Sequence, residues 1–345
     1  MKTIAELARK NILALAPYSS ARSEHDCTPD DILLDANENP YNKPYNRYPD
    51  PLQRALKERI SQIKGVPPQN IFVGNGSDEA IDLAYRCFAE PGRDNAVAIQ
   101  PTYGMYKVCA DINGVEYRDV PLGPGFSLDA GAVLEACDAN TKIVWLCSPN
   151  NPTGNDLDPA AIEEILRGFG GIVVVDEAYC DFSSQEPLRK QLDIWPRLIV
   201  LNTMSKAWGM AGMRLGMAFA AVEVVELFNK AKYPYNISSL TQEAALKALA
   251  DTHVVCEWTR MILQERCRVM DAFALLPFCR RVYPSAANFF LAEVDDPDAT
   301  YQYLVGRGVI VRNRNSVALC AGCLRITIGS RSENSALLAA LRQMP

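Results

Sequence analysis

A lysine among bulky apolar residues is the first candidate for chemistry in this sequence. Lys206 lies in the stretch NTMSKAWGMAGMRLG, between methionines and Trp208. Removal from water disfavours the charged ammonium, so a lysine held in this way has a lowered pKa and suits Schiff-base chemistry with a carbonyl compound. Thr203, Ser205 and Arg214 offer two hydroxyls and a guanidinium, which are groups that bind an anion. The alternative is that Lys206 extends from a helix start into solvent.

A carboxylate follows an apolar run in VVVDEAYCDF, where Asp176 ends a predicted buried strand. An unpaired charge in such a place is costly, so this carboxylate needs a cationic partner. Few lysines or arginines lie nearby in the sequence, which favours a cationic ligand. Pairing with a distant arginine is the alternative.

Two sharp turns follow other predicted strands. In FVGNGSDEAI, glycines permit a tight turn, and Ser77 can cap a helix whose free N–H groups would bind an anion such as phosphate. In CSPNNPTG, prolines and asparagines end the strand, and the bond between Asn151 and Pro152 can be cis. The Asn151 amide can both donate and accept hydrogen bonds to a ligand. A capped helix and a plain turn, each without a ligand, are the alternatives.

The elements around these residues indicate an α/β fold. From about residue 30 to about residue 220, near-continuous apolar strands alternate with helical stretches, which is typical of a mostly parallel sheet covered by helices on both faces. Ligands bind such sheets at the carboxyl ends of the strands, where the candidate residues fall. The sequence predicts an N-terminal helix and arm at residues 1–30, a large domain at 31–235 and a smaller α+β domain at 236–345.

The composition argues against several classes of function. With 345 residues and a net charge of −6, the chain lacks the basic surface that binds nucleic acid or an anionic membrane. It has no apolar signal-peptide core and no run of about 18 apolar residues, so we expect a cytoplasmic protein. The 11 cysteines, including Cys320 and Cys323, are interpreted as reduced core residues. Only two histidines occur, His25 and His253, and we expect no metal site.

A single ligand would satisfy these sites if it carried a phosphate, a cationic ring atom and an aldehyde, as pyridoxal phosphate does. SPNNPTG, VVDEAY and SKAWGMAGMRLG, in this order and spacing, resemble the fold type I aminotransferases, and the resemblance extends over nearly the whole chain. Five further segments resemble the histidinol-phosphate aminotransferase family in particular. They are APYSSAR near the start, LDANENP at residues 34–40, RYPDP at 47–51, GSDEAI, and GCLRITIGSRSEN near the end.

The resemblance implies roles for individual residues at the cofactor ring. Lys206 forms a Schiff base with the cofactor and, once released, moves a proton between Cα and C4′. Asp176 pairs with the protonated ring nitrogen and keeps the ring an electron sink. Asn151 and Tyr179 hydrogen-bond the ring oxygen O3′, and Tyr103 stacks on the ring face.

Other residues are assigned by the same resemblance to the cofactor phosphate, the substrate and the subunit interface. The phosphate group is implied to be held by Gly76, Ser77, Asp78, Thr203, Ser205 and Arg214. Tyr48 is implied to reach into the site of the neighbouring subunit, which makes a homodimer part of the enzyme. Arg325 is implied to bind the anionic end of the substrate, and Tyr18, Glu38 and Asn39 lie on segments that cover it.

The implied activity is amino transfer between histidinol phosphate and 2-oxoglutarate in histidine biosynthesis, by ping-pong kinetics. An aromatic amino-acid aminotransferase and a threonine-phosphate decarboxylase are alternatives that use the same cofactor groups. A ligand-sensing regulator built on an aminotransferase-like domain is a more distant alternative. Only about 30 residues precede the predicted sheet, which is too few for an added DNA-binding domain.

Overall fold

The described part of the chain comprises residues 2–18 and 31–344 in a computed structural model. Residues 19–30, which make up much of the predicted arm and include His25 and part of APYSSAR, lie outside it. The predicted N-terminal helix is two short helices, α1 (Ile4–Leu7) and α2 (Lys10–Leu13).

The break between α1 and α2 has a local cause. Ala8 and Arg9 have extended backbones, so the helical hydrogen bonds stop there. The Arg9 N–H donates instead to the Cys87 carbonyl (2.8 Å), and the Arg9 guanidinium pairs with Glu90 (3.1 Å). Contacts with a distant helix thus replace one turn of the expected continuous helix.

The larger sheet consists of seven strands within the described residues. They are β1 (Ile71–Asn75), β2 (Asn95–Gln100), β3 (Glu116–Pro121), β4 (Thr141–Cys147), β5 (Ile172–Asp176), β6 (Leu198–Thr203) and β7 (Leu215–Ala220). Their order is β1-β7-β6-β5-β4-β2-β3. Strands β3, β2, β4, β5 and β6 run parallel, whereas β7 is antiparallel to both of its neighbours, β6 and β1. The predicted α/β class with a mostly parallel sheet is confirmed.

Both faces of this sheet are buried, which explains the near-continuous apolar strands. Successive residues of a strand point to opposite faces. In β4, Ile143 packs into one apolar cluster and Val144 into the other, and Ile172 and Val173 of β5 divide in the same way. A sheet with one solvated face would instead alternate apolar and polar residues.

Helices cover the two faces of the larger sheet. Those on one face are α3 (Arg54–Lys64), α6 (Ala130–Glu135) and α7 (Pro159–Gly168), and those on the other are α4 (Ser77–Phe88), α5 (Met105–Ile112) and α8 (Val222–Ala231). Four more helices follow: α9 (Ser239–Ala250), α10 (Thr252–Ala274), α11 (Pro297–Val305) and α12 (Arg331–Arg342). Across residues 2–18 and 31–344, none of the helices has both the length and the apolar character needed to cross a bilayer.

A second, antiparallel sheet lies in the last quarter of the chain. Its strands are β8 (Cys279–Val282), β9 (Phe289–Val294), β10 (Arg312–Asn313) and β11 (Cys323–Thr327), in the order β10-β11-β9-β8. Residues of α10, α11 and α12 pack with this sheet around their own apolar cluster. Leu249, Phe289, Cys320 and Cys323 nevertheless pack into a core of the larger sheet. The domain boundary at 235/236 stays a prediction.

The apolar pattern does not indicate β3 or β8, which are edge strands of the two sheets. Most residues of β3 and β8 are exposed or only half-buried. An edge strand buries little surface, so its sequence carries little of the pattern by which buried strands are predicted.

Candidate active site

The residues singled out for their chemistry converge on one cleft at the carboxyl ends of β4, β5 and β6. The cleft has a volume of about 710 Å³. Its lining includes Gly76, Ser77, Asp78, Tyr103, Asn151, Asp176, Tyr179, Thr203, Ser205, Lys206, Arg214 and Arg325. Turns that lie far apart in the sequence meet there because parallel strands bring their carboxyl ends to the same edge of the sheet.

The turn between β1 and α4 forms one end of the cleft. Ser77 is the first residue of α4 and does not cap it; Gly76 is the N-cap and has no side chain to occupy the free N–H groups. Gly76 has a positive φ of 74°, and its N–H donates to the Arg214 carbonyl at 2.7 Å. A Cβ on Gly216 would lie 2.0 Å from the Ser77 nitrogen, so the β7 backbone can approach this turn only as glycine.

Arg214 and the start of α4 together can bind an anion. Free N–H groups and the positive end of the helix dipole favour negative charge at this point. The Arg214 Nη2 lies 3.4 Å from Asp78 Oδ2, so the guanidinium faces the same turn. Tyr103 also contacts Asp78, since its hydroxyl donates to Asp78 Oδ1 at 3.1 Å.

Asp176 lies at the end of β5 with only 3% of its surface exposed. Burial raises the pKa of this carboxyl to about 6, against the opposing effects of hydrogen bonds from Tyr106 and the Ala178 N–H. Within the described ranges, no lysine or arginine lies within ion-pair distance (4.0 Å) of Asp176. The alternative of a pairing with a distant arginine is therefore not found, and a cationic group bound in the cleft is the better partner.

Lys206 lies in the turn after β6 and faces the cleft. Its Nζ is 5.3 Å from the centroid of the Tyr179 ring. Burial is the main cause that lowers the pKa of Lys206, and the nearby Arg325 charge lowers it further. Met204 and Trp208 are buried in the core, whereas Lys206 itself is only half-buried. The apolar neighbours thus anchor the turn, and the amine is available to a ligand.

Asn151 and Arg325 connect the two sheets across the cleft. The peptide bond between Asn151 and Pro152 is cis, as the sequence permits. An Arg325 Nη1–H donates to Asn151 Oδ1, and the guanidinium lies over the Phe289 ring, 5.2 Å from its centroid. Burial lowers the pKa of Arg325 to about 10, with a further contribution from Arg314. An anion in the cleft would relieve this crowding of positive charge.

Two further arginines, Arg312 and Arg314, line the cleft and were not among the predicted site residues. Arg312 lies directly opposite Arg325 in the pairing of β10 with β11, and like charges in such positions repel. In the described part of the chain, no carboxylate lies within ion-pair distance of any of the three. The alternation in VRNRN was the available signal, because residues two apart on a strand share a face.

Tyr106 is a second functional candidate that the sequence does not indicate. It is fully buried in α5, and its hydroxyl donates to Asp176 Oδ2 at 2.8 Å. Met105, Val108 and Cys109 lie close to it in the sequence, so Tyr106 resembles an ordinary core residue of an amphipathic helix.

Four predicted site residues do not line this cleft within their own chain. Tyr18 is 70% exposed, and the Asn39 side chain accepts a hydrogen bond from the Tyr41 N–H at 3.0 Å. Glu38 accepts from Arg47 Nη1 and from the Tyr48 N–H, both at 2.6 Å. The Tyr48 ring stacks on Tyr235 with centroids 4.4 Å apart. Their predicted roles at the substrate and in the neighbouring subunit stay predictions.

A family model identifies the class of protein that this fold and cleft define. The aminotransferase class I and II model matches residues 11–341. The chain therefore belongs to the class I and II aminotransferases.

Individual relatives narrow this class. The histidinol-phosphate aminotransferase of Bacteroides fragilis (strain YCH46) is 54% identical over 343 residues, which cover 99% of each chain. That of Cytophaga hutchinsonii is 50% identical over 340 residues and 97% of each chain. The chain belongs to the histidinol-phosphate aminotransferase family.

A solved structure has the same fold. Histidinol-phosphate aminotransferase from Sinorhizobium meliloti in complex with pyridoxal-5'-phosphate has a TM-score of 0.78 and 26% sequence identity, over 86% of this chain and 82% of that chain. The predicted fold type I architecture is confirmed.

Proposed function

We propose that this chain is a pyridoxal-phosphate-dependent transaminase that converts histidinol phosphate and 2-oxoglutarate to imidazole acetol phosphate and glutamate, a step of histidine biosynthesis. The observation that carries the proposal is one cleft with a half-buried lysine, a buried carboxylate and an anion-binding helix start. The cleft lies in a chain 54% identical to a histidinol-phosphate aminotransferase.

The residues of the cleft fit pyridoxal phosphate. The Gly76 turn and Arg214 are suited to its phosphate, the Asp176 carboxylate to its ring nitrogen, and the Lys206 amine to its aldehyde. When bound, the cofactor supplies an aldehyde that bonds amines and a cationic ring that withdraws electrons from the Cα–H bond.

The side chains that line the cleft have different roles in amino transfer. The Lys206 amine accepts and returns the proton of the substrate Cα, and its lowered pKa favours the neutral form that a base requires. Asp176, ionised, would hold a proton on the ring nitrogen. Asn151 and Tyr179 would hydrogen-bond the ring oxygen, and Tyr103 would pack against the ring.

Arg312, Arg314 and Arg325 form the part of the cleft that would select the substrate. Both amino donors of the proposed reaction are anions: histidinol phosphate carries a phosphate and glutamate carries carboxylates. Arginines bind phosphate and carboxylate with paired hydrogen bonds, so one cluster can serve both substrates in turn.

Substrate identity is tested by single-turnover conversion of the bound cofactor to its amine form. We expect histidinol phosphate to react at least about 100-fold more efficiently than histidinol, which lacks only the phosphate. Arg312→Gln is expected to remove most of this difference while the reaction of histidinol stays unchanged. A faster reaction with phenylalanine, or release of carbon dioxide from threonine phosphate, would contradict the proposal in favour of one of the two related activities.

We further propose a homodimer in which Tyr48 serves the neighbouring subunit's site, and Tyr18, Glu38 and Asn39 lie on segments that cover the substrate. Exposed apolar side chains in residues 31–48 support this assembly: Ile32 is 86%, Leu34 90% and Tyr41 89% exposed in the single chain. Exposed apolar patches of this kind are typical of subunit interfaces. The cytoplasmic location stays a prediction.

Hybrid dimers test the exchange of Tyr48. Tyr48→Phe alone is expected to lower activity by about tenfold, through loss of a hydrogen bond to the cofactor. If Tyr48 crosses the interface, a dimer of one Tyr48→Phe and one Lys206→Ala subunit has one intact site and about half of the wild-type activity. If Tyr48 serves its own site, both sites of the hybrid are damaged and activity stays near that of the single variants. Activity of isolated hybrids, purified with two different affinity tags, distinguishes these results.

A further inference from the structure

Tyr106 is placed where it controls the carboxylate that faces the cofactor ring. It belongs to the first turn of α5, has no exposed surface, and donates its hydroxyl hydrogen to Asp176 Oδ2 at 2.8 Å. The other carboxylate oxygen, Oδ1, accepts the Ala178 N–H at 3.0 Å. Both donors stabilise the ionised form of Asp176.

The surrounding contacts hold the Tyr106 ring in this position. The ring stacks on Trp145 with centroids 4.8 Å apart and an interplanar angle of 13°. It meets the Tyr103 ring edge-to-face at 5.6 Å and 85°. Because these aromatic rings pack against Tyr106, its hydroxyl cannot turn away from Asp176 without disrupting the packing.

We infer that Tyr106 is a positioning residue for the transamination: its hydroxyl keeps Asp176 ionised and so keeps the shared proton on the ring nitrogen of the cofactor. The inference rests on the proposed function for its catalytic part. A carboxylate without this donor would be a stronger base, and the proton would move from the ring to the carboxylate. The same side chain also supports Tyr103, so it positions two of the groups that contact the ring.

The other charged and titratable groups around Asp176 come from every neighbouring element. They are Asp78 at the start of α4, Tyr103 before α5, Cys147 at the end of β4, Tyr179 in the loop after β5, and Lys206 after β6. Burial is the largest influence and raises the pKa of Asp176 to about 6, and the Tyr106 hydrogen bond is the largest influence in the opposite direction. Removal of that hydroxyl therefore moves the Asp176 pKa further up.

The first test uses the cofactor-free protein and does not depend on activity. A carboxyl whose folded pKa is raised stabilises the fold below its unfolded pKa and loses that contribution as the pH rises through the folded pKa. In Tyr106→Phe the folded pKa, which is the pH at which this loss ends, is expected to move up by about one unit. The matched control is Tyr85→Phe, which removes another fully buried hydroxyl from the same aromatic group; the Tyr85 hydroxyl donates to the Tyr106 backbone carbonyl at 2.9 Å and makes no contact with Asp176. Urea midpoints between pH 5 and 8 provide the measurement.

An Asp176→Asn background identifies the group responsible. There Tyr106→Phe and Tyr85→Phe are expected to have parallel pH profiles, because position 176 no longer titrates. If the two variants also had parallel profiles of stability against pH in the wild-type background, the inference would be overturned. Incorporation of 3-fluorotyrosine at position 106 keeps the packing and makes the hydroxyl a stronger donor, so the pH at which the loss of stability ends should move down. An unchanged pH would count against the inference even if Tyr106→Phe did not fold.

The second test uses the loaded enzyme. Tyr106→Phe is expected to lower kcat near neutral pH by about tenfold, the equivalent of one unit in pKa, and to leave KM for histidinol phosphate nearly unchanged. The absorption of the bound cofactor should titrate at a different pH in this variant and at the wild-type pH in Tyr85→Phe. A changed KM with an unchanged pH profile would assign Tyr106 a purely structural role. If no substrate reacts but Tyr106→Phe still changes the pH dependence of stability in the cofactor-free protein, the proposed function is wrong. The effect of Tyr106 on the ionisation of Asp176 is then still supported.

Discussion

Replacement of Lys206 by alanine is expected to lower amino transfer by about 10⁴-fold, because the cleft then lacks both the amine that bonds the cofactor and the base that moves the Cα proton. Thr203 and Ser205 line the cleft beside it, but a neutral hydroxyl accepts a proton poorly near pH 7. The cofactor is still expected to bind through the Gly76 turn and Arg214, though more weakly. Single-turnover rates with histidinol phosphate measure the loss.

Chemical labelling tests the same residue without a mutation. Borohydride reduction of the yellow wild-type protein should fix the cofactor on Lys206, and a peptide map should place it on that one of the 12 lysines. Lys142→Arg is a matched control, because this half-buried lysine on β4 lies 3.9 Å from Asp94 and does not line the cleft. It should keep full colour and near-normal turnover. An adduct on any other lysine would contradict the whole assignment of the cleft.

Asp176→Asn is expected to retain the cofactor and to lower turnover by about 10²- to 10⁴-fold. A neutral amide cannot hold a proton on the ring nitrogen, so the ring withdraws electrons less strongly from the Cα–H bond. The anion-binding turn, which lies at the other end of the cleft, is untouched by this change. Equilibrium binding of the cofactor and kcat, measured side by side, separate the two effects.

Glu177→Gln provides the control for this prediction. Glu177 is the next residue and also buried, and burial raises its pKa to about 7, but it accepts the Leu188 N–H at 2.7 Å and does not line the cleft. The same loss of charge at position 177 should therefore leave turnover within about twofold of the wild type. Asp176→Glu, which keeps the charge, should recover part of the activity. Near-normal turnover of Asp176→Asn would contradict the proposal that this carboxylate keeps the cofactor ring protonated and electron-withdrawing.

Stability gives the Glu177 control a second readout. Because the pKa of the Glu177 carboxyl is raised in the folded protein, the protonated side chain stabilises the fold below about pH 4.5. This contribution is lost as the pH rises through about 7. Glu177→Gln cannot ionise and is expected to be more stable than the wild type at pH 8, by up to about 3 kcal/mol. Urea unfolding at pH 5 and pH 8 measures the difference, and a stability gap that does not grow with pH would contradict the shift.

The sequence by itself determined the α/β class and the residues at the ends of β4, β5 and β6. Long apolar strands require burial on both faces, and the turns after them carry Asn151, Asp176 and Lys206. Residue type and local position sufficed here, because parallel strands have one edge at which ligands bind. The same local reasoning failed at residues 4–13, where contacts of Arg9 with α4 interrupt the helix, and at the polar edge strands β3 and β8.

Only the tertiary structure decided which distant residues join that edge. Arg312 and Arg314 reach the cleft because the second sheet packs across it, and Tyr106 meets Asp176, 70 residues away, because α5 packs on the larger sheet. The contact of Tyr106 with Asp176 arises from packing between elements and leaves no local pattern of apolar and polar residues. In the single chain, Tyr18, Glu38, Asn39 and Tyr48 stay outside the cleft, which the sequence motifs that contain them do not indicate.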